Sequence, residues 1–198
     1  MIKDLQKKEK INIAIFASGA GSNAQAILKH FQHHPRIKIA LIVTNKTDAG
    51  VIKIAEDFKV DVVVISKTIL NDEHQMKVIL DEHSISFIVL AGFLLLMPFY
   101  LIKLFPKRIV NIHPALLPEF GGKGMYGHFV HEAVKNAGAT ETGITIHFCN
   151  ENYDEGGIIF QAKCEIDQSD TPDEIALKVH ILEHQHYAKQ IEKILLER

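Results

Sequence analysis

Apolar runs with almost no polar interruption alternate with stretches of helical periodicity over the first hundred residues. Runs of this kind are typical of strands buried on both faces, which belong to parallel sheets covered by helices. The predicted strands are Ile11–Phe16, Ile37–Thr44, Val60–Ile65 and Phe87–Ala91, and the predicted helices are Ser22–His34, Gly50–Phe58 and Asn71–Glu82. This alternation predicts a Rossmann-like α/β fold with an open, mostly parallel sheet and helices on both faces.

The pattern changes in the second half of the chain. Pro98 is expected in the first turn of a short helix to about Phe105, and a loop rich in Gly and Pro follows a fifth strand. Two consecutive strands without a helix between them then predict an antiparallel C-terminal pair. The remaining elements are strands Ile109–Ile112, Gly143–Cys149 and Gly157–Ile166, a helix over Phe129–Asn136, and a long helix from the capping box at Thr171 to about Leu196. We expect one domain over residues 1–198, with a charged N-terminal extension over residues 1–10.

Composition and charge narrow the classes of function. Hydrophobic residues make up 47% of the chain and charged residues 23%, which is typical of a globular protein with a sizeable core. The net charge of −2 argues against non-specific binding to nucleic acid or to an anionic membrane. Two cysteines are too few for a disulfide framework, and the N-terminus lacks the features of a signal peptide. A cytoplasmic protein that acts on small molecules, as a monomer or homodimer, is therefore expected.

One apolar segment needs its own explanation. Residues Phe87–Ile102 form a run of sixteen uncharged, mostly apolar positions. A membrane-spanning helix needs about 20 such residues. This run is shorter and is interrupted by Gly92 and Pro98. We interpret it as a buried strand, a loop and the start of a helix, and we expect no membrane association.

A glycine-rich turn after the first strand predicts a phosphate site. Ser18-Gly19-Ala20-Gly21-Ser22-Asn23 joins that strand to the next helix. Glycine lets the backbone approach a ligand closely, and the free N–H groups of a helix N-terminus bind phosphate. No Walker lysine follows. A nicotinamide-binding enzyme would need an acidic residue near the end of the second strand, where Asp48 comes too late.

A second group of polar residues could carry chemistry. Asn111 and His113 lie two apart at a strand end, so their side chains face the same side of the sheet. A histidine can act as acid, base or electrostatic partner, and an asparagine amide can donate to an oxyanion. A carboxylate of the segment 152–157, Asn152 to Gly157, would raise the pKa of His113 if the two were close. The sequence alone does not place them together.

The late segment His180-Ile181-Leu182-Glu183-His184 matches the H-x-x-E-H pattern of a class of zinc peptidases. Such a match arises easily by chance in a chain with 12 histidines. No clear third ligand follows, so we expect no metal site.

Taken in order, several motifs resemble a known family. They are S-G-x-G-S-N, L-A-G-F, N-I-H-P-x-L-L-P, G-I-T-I-H-F, D-E-G-G-I-I-x-Q and a late E-H. Together they resemble the phosphoribosylglycinamide formyltransferases of the folate-dependent formyltransferase family, from about Ile11 to Ile194. The resemblance implies the formyltransferase fold, and transfer of a formyl group from 10-formyltetrahydrofolate to the amine of 5'-phosphoribosylglycinamide in purine biosynthesis. A formyltetrahydrofolate hydrolase, or a transferase with another amine acceptor, is the alternative.

The resemblance also implies roles for individual residues. Asn111 and a protonated His113 would stabilise a tetrahedral intermediate, with Asp154 tuning the histidine and His147 in support. The ribonucleotide would be held by Gly21, Ser22, Asn23 and Glu183. The folate would be held by Leu94, Leu95, Leu96, Met97, Asn111, Glu151 and Tyr153, without a metal.

The chain departs from the common family pattern on the folate side. Leu95 stands where many members carry an arginine, and a second arginine has no match around Asp72–His74. Lys123, in the loop Phe120–His128, could supply some of the missing positive charge. These departures concern the folate tail and leave the predicted chemistry unchanged.

Overall fold

The computed structural model describes residues 10–197, so most of the predicted N-terminal extension lies outside the described residues. Seven strands and seven helices make up this part of the chain. The strands are β1 (Ile11–Phe16), β2 (Ile37–Thr44), β3 (Asp61–Val64), β4 (Ile85–Leu90), β5 (Ile109–His113), β6 (Glu141–Phe148) and β7 (Ile158–Glu165). The helices are α1 (Ser22–Phe31), α2 (Gly50–Phe58), α3 (Lys67–Leu70), α4 (Glu73–Glu82), α5 (Phe99–Leu104), α6 (His128–Asn136) and α7 (Pro172–Leu196).

All seven strands form one sheet in the order β3-β2-β1-β4-β5-β6-β7. The five strands from β3 to β5 pair in parallel, whereas β5, β6 and β7 pair antiparallel. The predicted fold class, including the antiparallel C-terminal pair, is therefore confirmed. The chain moves outward in one direction from β1 to β3 and then crosses to the other side of β1 at β4. The loops that follow β1 and β4 diverge at this switch point, which is where open α/β sheets place their ligands.

The sheet is covered on both faces because its central strands are apolar on both faces. Ile13 and Ile15 point into one core, which α1, α2, α6 and α7 complete. Ala14 and Phe16 point into the other core, which residues of α3, α4 and α5 complete. All four of these β1 side chains are fully buried. This explains why β1 reads as an uninterrupted apolar run.

Element boundaries differ from the predictions mostly by one to three residues. The third predicted helix begins at Glu73 and not at Asn71, because Asp72 is its N-cap. A separate turn of helix, α3, precedes it, and its N-cap Ser66 accepts a hydrogen bond from the Ile69 N–H. Pro98 is the N-cap of α5 and not its first helical residue, because its ψ of 145° is extended. The capping box predicted at Thr171 and Glu174 is present.

The apolar run over residues 87–102 is divided as predicted. Its first part ends β4, its middle is a loop, and its last part forms most of α5. Among the described helices, none is both long enough and apolar enough to cross a membrane.

Tyr187 on α7 ties this long helix to the centre of the sheet. Its buried hydroxyl donates to the Leu90 carbonyl at 2.8 Å and lies 3.3 Å from the Val110 carbonyl. These carbonyls belong to β4 and β5, next to the switch point. Tyr187 therefore fixes the position of α7 over the strand ends that carry the candidate site.

We expect Tyr187→Phe to lower the free energy of unfolding by about 1–2 kcal/mol, because a buried hydrogen bond is lost while the ring still fills its space. Urea denaturation measures the change. The matched control is Tyr126→Phe, since the Tyr126 side chain is 46% exposed. An unfolding free energy equal to that of the unmodified protein would show that the Tyr187 hydroxyl does not hold α7 in place.

Candidate functional site

A cavity of about 810 Å³ lies at the switch point between β1 and β4. Two backbone hydrogen bonds hold the diverging loops together at its base, from Ala91 N to Phe16 O at 2.8 Å and from Ser18 N to Gly92 O at 3.0 Å. The volume lies in the range of small-molecule sites. The cavity has an apolar wall and two separate polar clusters, one built around the buried Glu183 and one around the partly buried Asp154.

The predicted phosphate loop lines one part of the cavity and ends at the N-terminus of α1. Gly21 caps this helix with φ +84°, and no side chain of the described residues caps it. A Cβ at Gly21 would lie 2.9 Å from the Cα of Val51, so α2 packs too closely for any larger residue. The N–H groups of Ser22 and Asn23 are thus at an uncapped helix N-terminus, where an anion is stabilised.

Ser18 joins this loop to the neighbouring parts of the site. Its buried hydroxyl donates to Asn45 Oδ1 at 2.5 Å and accepts from the Leu94 N–H at 3.0 Å. Asn45 follows β2, and the next residue, Lys46, also lines the cavity. Lys46 is thus a cation beside the phosphate loop that the sequence reasoning missed.

Asn111 and His147 lie directly opposite each other on the antiparallel strands β5 and β6. The Nδ1 of His147 lies 3.0 Å from the Phe148 carbonyl, which can only accept, so Nδ1 carries the proton in the neutral ring. Its Nε2 then accepts from Asn111 Nδ2 at 3.1 Å. His147 therefore orients the Asn111 amide, as expected of a supporting residue.

Asp154 comes from the loop after β6 and completes this polar cluster. Its Oδ1 lies 3.5 Å from Asn111 Nδ2 and 3.5 Å from His147 Nε2, and its Oδ2 lies 3.5 Å from His113 Nδ1. Burial raises the pKa of Asp154, but its contacts with His147, His113 and the Gly122 N–H outweigh this effect. The resulting pKa is below its ordinary value, so the carboxylate is ionised.

His113 is buried between two acceptors. Its Nε2 donates to the Phe120 carbonyl at 2.8 Å, and its Nδ1 faces Asp154. Burial lowers the pKa of His113, and the charge of Asp154 raises it. Burial dominates, so the pKa lies below its ordinary value. In the protein without substrate the neutral ring is therefore favoured, while the effect of Asp154 has the predicted direction. A protonated His113 beside the tetrahedral intermediate stays a prediction.

The loop Phe120–His128, whose role the sequence left open, reaches this polar cluster through its backbone. The Phe120 carbonyl binds His113, and the Gly122 N–H donates to Asp154 Oδ2 at 3.0 Å. Both residues have positive φ, +55° and +94°. The loop thus closes one side of the cavity and brings Lys123 to its lining.

Glu183 of α7 is the centre of the second polar cluster. It is only 4% exposed, and its Oε2 accepts from Asn23 Nδ2 at 2.9 Å and contacts His180 Nδ1 at 2.7 Å. The hydrogen bond with Glu183 raises the pKa of His180. Glu183 therefore joins α7 to Asn23, the last residue of the phosphate loop.

The apolar wall holds most of the residues predicted to contact the folate. Leu94, Leu95, Leu96, Met97 and Tyr153 all line the cavity, as does Asn111. Glu151 does not line it and is exposed, so the structure does not bring this predicted residue into the site. The side chains at 151 and 153 both lie on the loop between β6 and β7, and only Tyr153 is turned to the lining.

Three further residues of the lining have side chains that the predictions did not use. They are His131 on α6, His180 on α7 and Cys149 after β6. Burial raises the pKa of the Cys149 thiol, which keeps it protonated. The one sequence signal for His180 was its place in the H-x-x-E-H pattern.

The zinc interpretation of that pattern finds no geometric support. His180 and His184 stack with ring centroids 6.3 Å apart, while Glu183 turns into the cavity. Within residues 10–197, no group of three or more His, Cys, Asp or Glu side chains is placed to hold a metal ion.

The chain is similar to known proteins over most of its length. Residues 11–191 match the family model described as formyl transferase. A chloroplastic phosphoribosylglycinamide formyltransferase of Arabidopsis thaliana is 41% identical over 192 residues, which cover 94% of this chain and 66% of that protein. The Bacillus subtilis phosphoribosylglycinamide formyltransferase is 36% identical over 187 residues, covering 92% of this chain and 93% of that protein. The chain thus spans less than two thirds of the Arabidopsis protein but nearly all of the Bacillus protein.

Solved structures agree with the sequence relatives. The phosphoribosylglycinamide formyltransferase of Anaplasma phagocytophilum superposes with a TM-score of 0.86 at 29% identity, over 96% of this chain and 89% of that one. The enzyme of the same name from Bacillus halodurans gives 0.82 at 34% identity, over 93% and 95%. The likeness thus extends over almost all of the sheet and helices described above.

A substitution at Asp154 separates the two opposed effects on the pKa of His113, which are burial and the charge of Asp154. We expect Asp154→Asn to lower the pKa of His113 further, because the substitution removes a negative charge that raises it and leaves the burial that lowers it. NMR titration of the histidine rings provides the measurement, with exposed His33 as the internal control. A pKa of His113 that stays constant or rises in the variant would contradict the assigned electrostatics.

Proposed function

The chain belongs to the formyl transferase family, and from this premise we propose that it transfers a formyl group from 10-formyltetrahydrofolate to the amine of 5'-phosphoribosylglycinamide in purine biosynthesis. The observation that carries the proposal is the layout of the cavity. An uncapped helix N-terminus lies in one part, an Asn–His–Asp cluster in another, and an apolar wall beside them. A phosphorylated amine and a large formyl donor with flat rings fit these three parts.

The ribonucleotide occupies the side of the phosphate loop in this proposal. The N–H groups at Gly21, Ser22 and Asn23 hold the phosphate, and Lys46 adds a positive charge nearby. Glu183 accepts hydrogen bonds from the nucleotide through its Oε1, because its Oε2 already has two partners. The amine of the substrate then points toward the Asn111–His113–Asp154 cluster.

The folate lies against the wall formed by Leu94, Leu95, Leu96 and Met97, with Tyr153 and Asn111 at its edge. With Leu95 in place of the common arginine, apolar contact contributes more of the affinity on this side. Lys123 is the lining cation that meets the carboxylate end of the folate. Glu151, which is exposed and outside the lining, takes no part.

The chemistry requires one bond to form and one to break at the formyl carbon. The substrate amine attacks this carbon, which becomes a tetrahedral intermediate with a negatively charged oxygen. Asn111 donates to that oxygen through the amide hydrogen that otherwise faces Asp154 at 3.5 Å. The bond from the formyl carbon to the folate nitrogen then breaks, the amine loses one proton, and the folate nitrogen gains one.

His113 is neutral before substrates bind, since burial lowers its pKa. The negative charge that develops on the formyl oxygen favours the imidazolium, and Asp154 favours it as well. We propose that His113 takes up the proton released by the amine and stabilises the oxygen as an imidazolium. Asp154 and His147 act by positioning His113 and Asn111, with water bound at Asp154 completing the transfer to the folate nitrogen.

We further propose that residues 1–198 act as one formyltransferase domain, as a monomer or homodimer, on small molecules and not on nucleic acid. The cysteines Cys149 and Cys164 are free, which suits a reducing compartment. The cytoplasm is the compartment we propose, although the Arabidopsis relative is named chloroplastic.

The deciding experiment mixes the protein with 10-formyltetrahydrofolate and follows deformylated folate with and without phosphoribosylglycinamide. We expect product only when the ribonucleotide is present. Equal release without it would support a formyltetrahydrofolate hydrolase instead. Release that depends on a different amine would assign another acceptor.

Asp154→Asn and His113→Ala are each expected to lower turnover by about 100-fold or more, because each removes a group that stabilises the developing charge. Steady-state kinetics gives the rate, and calorimetry tests whether the ribonucleotide still binds to each variant. The affinity for phosphoribosylglycinamide should change little, because neither substitution alters the phosphate loop. Near-normal turnover in either variant removes that residue from the mechanism.

Treatment with a chelator is expected to leave formyl transfer intact, because the proposed steps use only side chains and the two substrates. The rate before and after incubation with EDTA is the measurement, with added zinc as the second arm. Loss of activity that zinc restores would return the H-x-x-E-H segment to consideration as a metal site.

A further inference from the structure

His131 is a buried histidine of the cavity lining for which the steps above have no use. Its side chain belongs to α6 and is 3% exposed. Its Nδ1 is fully buried and has no hydrogen-bond partner among the described residues. Buried polar atoms in proteins are almost always paired, and an unpaired one that lines a ligand cavity points to the ligand.

A second unpaired atom lies in the same cluster. Asn23 donates through Nδ2 to Glu183, while its Oδ1 is buried and accepts nothing from the described residues. Glu183 uses only its Oε2 for Asn23 and His180. The cluster therefore offers two acceptor oxygens, Asn23 Oδ1 and Glu183 Oε1, in the cavity that His131 also lines.

The position of His131 along the cavity follows from the packing of α6 against α7. His131 and Glu183 come one from each of these helices, and both line the cavity. The charges of His180 and Glu183 affect the pKa of His131 more than the charge of His113 does. In the proposed substrate, the ribose is the part between the phosphate at the helix N-terminus and the amine at His113.

We propose that His131 is a specificity-determining residue that binds a ribose hydroxyl of the substrate together with Asn23 Oδ1 and Glu183. This inference rests on the proposed function and deepens it by assigning recognition of the sugar. It adds His131 to the residues that the family resemblance places at the ribonucleotide, which are Gly21, Ser22, Asn23 and Glu183.

The chemistry of the cluster favours a hydroxyl over a phosphate oxygen. Burial lowers the pKa of His131 to about 4, so the ring is neutral and offers one donor and one acceptor. A hydroxyl donates to an acceptor oxygen and accepts from the imidazole N–H. A phosphate oxygen only accepts, and it would meet the carboxylate of Glu183 and the carbonyl of Asn23.

The test compares the protein with His131→Leu, in which an apolar side chain of similar volume cannot form the hydrogen bond. We expect KM for phosphoribosylglycinamide to rise about 10-fold, which corresponds to one lost hydrogen bond, while KM for the folate stays constant. His33→Leu is the matched control, because His33 is exposed and outside the cavity lining. His131→Gln, which keeps a donor and an acceptor, should restore part of the affinity.

Substrate analogues make the test specific for the sugar. For the unmodified protein, kcat/KM should be about 10-fold lower with either the 2'-deoxy or the 3'-deoxy analogue than with the natural substrate. For His131→Leu, kcat/KM should be the same with that analogue as with the natural substrate. An unchanged KM in His131→Leu, or undiminished discrimination between ribose and both deoxy sugars, overturns the proposal. The melting temperature of the variant should stay the same or rise, because a buried unpaired polar group is replaced by an apolar one.

Calorimetric binding of phosphoribosylglycinamide without folate separates this inference from the proposed function. An unmodified protein that binds the ribonucleotide tighter than His131→Leu supports the role of His131 even if no formyl transfer is observed. Normal transfer together with equal binding by both proteins contradicts the inference and leaves the proposed function intact. Absence of ribonucleotide binding by the unmodified protein contradicts both.

Discussion

The carboxylate of Asp154, whose side chain is only 11% exposed, is the constraint on which one end of the cavity depends. A buried charge is costly unless neighbouring groups pair with it. Three side chains and one backbone N–H serve this purpose, and they come from β5, β6 and the loop Phe120–His128. The need to satisfy this one carboxylate therefore brings separate elements together at one point. The same contacts fix the positions of Asn111 and His113, which stabilise the negative oxygen in the proposed reaction.

The second polar cluster follows the same physical rule around Glu183, with a different outcome. Its carboxylate is paired with Asn23 and His180. Two polar atoms of the same cavity lining, Asn23 Oδ1 and His131 Nδ1, have no hydrogen-bond partner among the described residues. Around Asp154 the protein satisfies its own groups and holds a preorganised geometry. Around Glu183 some polar atoms have no partner among the described residues. In the proposed function, this contrast separates the part of the cavity that performs chemistry from the part that selects the substrate.

Both clusters rely on an apolar framework that has no direct part in the chemistry. The central strands are buried on both faces, and Tyr187 fixes α7 to the ends of β4 and β5. Because α7 carries Glu183 one turn before Tyr187, the sheet sets the distance between the phosphate loop and this carboxylate. The apolar wall over residues 94–97 leaves the sheet at the same switch point. Its leucine at position 95 distinguishes the folate side of this chain from the common family pattern.

The sequence by itself determined the alternation of strands and helices, the capping box of α7, the phosphate loop, and the residues that line most of the cavity. These features depend on local periodicity, backbone freedom and motif order, which are present in a linear chain. Tertiary structure alone decided that Asp154 lies 3.5 Å from His113, that burial outweighs its charge on that ring, and that Glu151 lies outside the site while His131 lies within it. Contacts across forty residues depend on strand register and loop geometry. Burial depends on every element that packs around a side chain. Neither these long-range contacts nor the burial of a side chain can therefore be calculated from its neighbours along the chain.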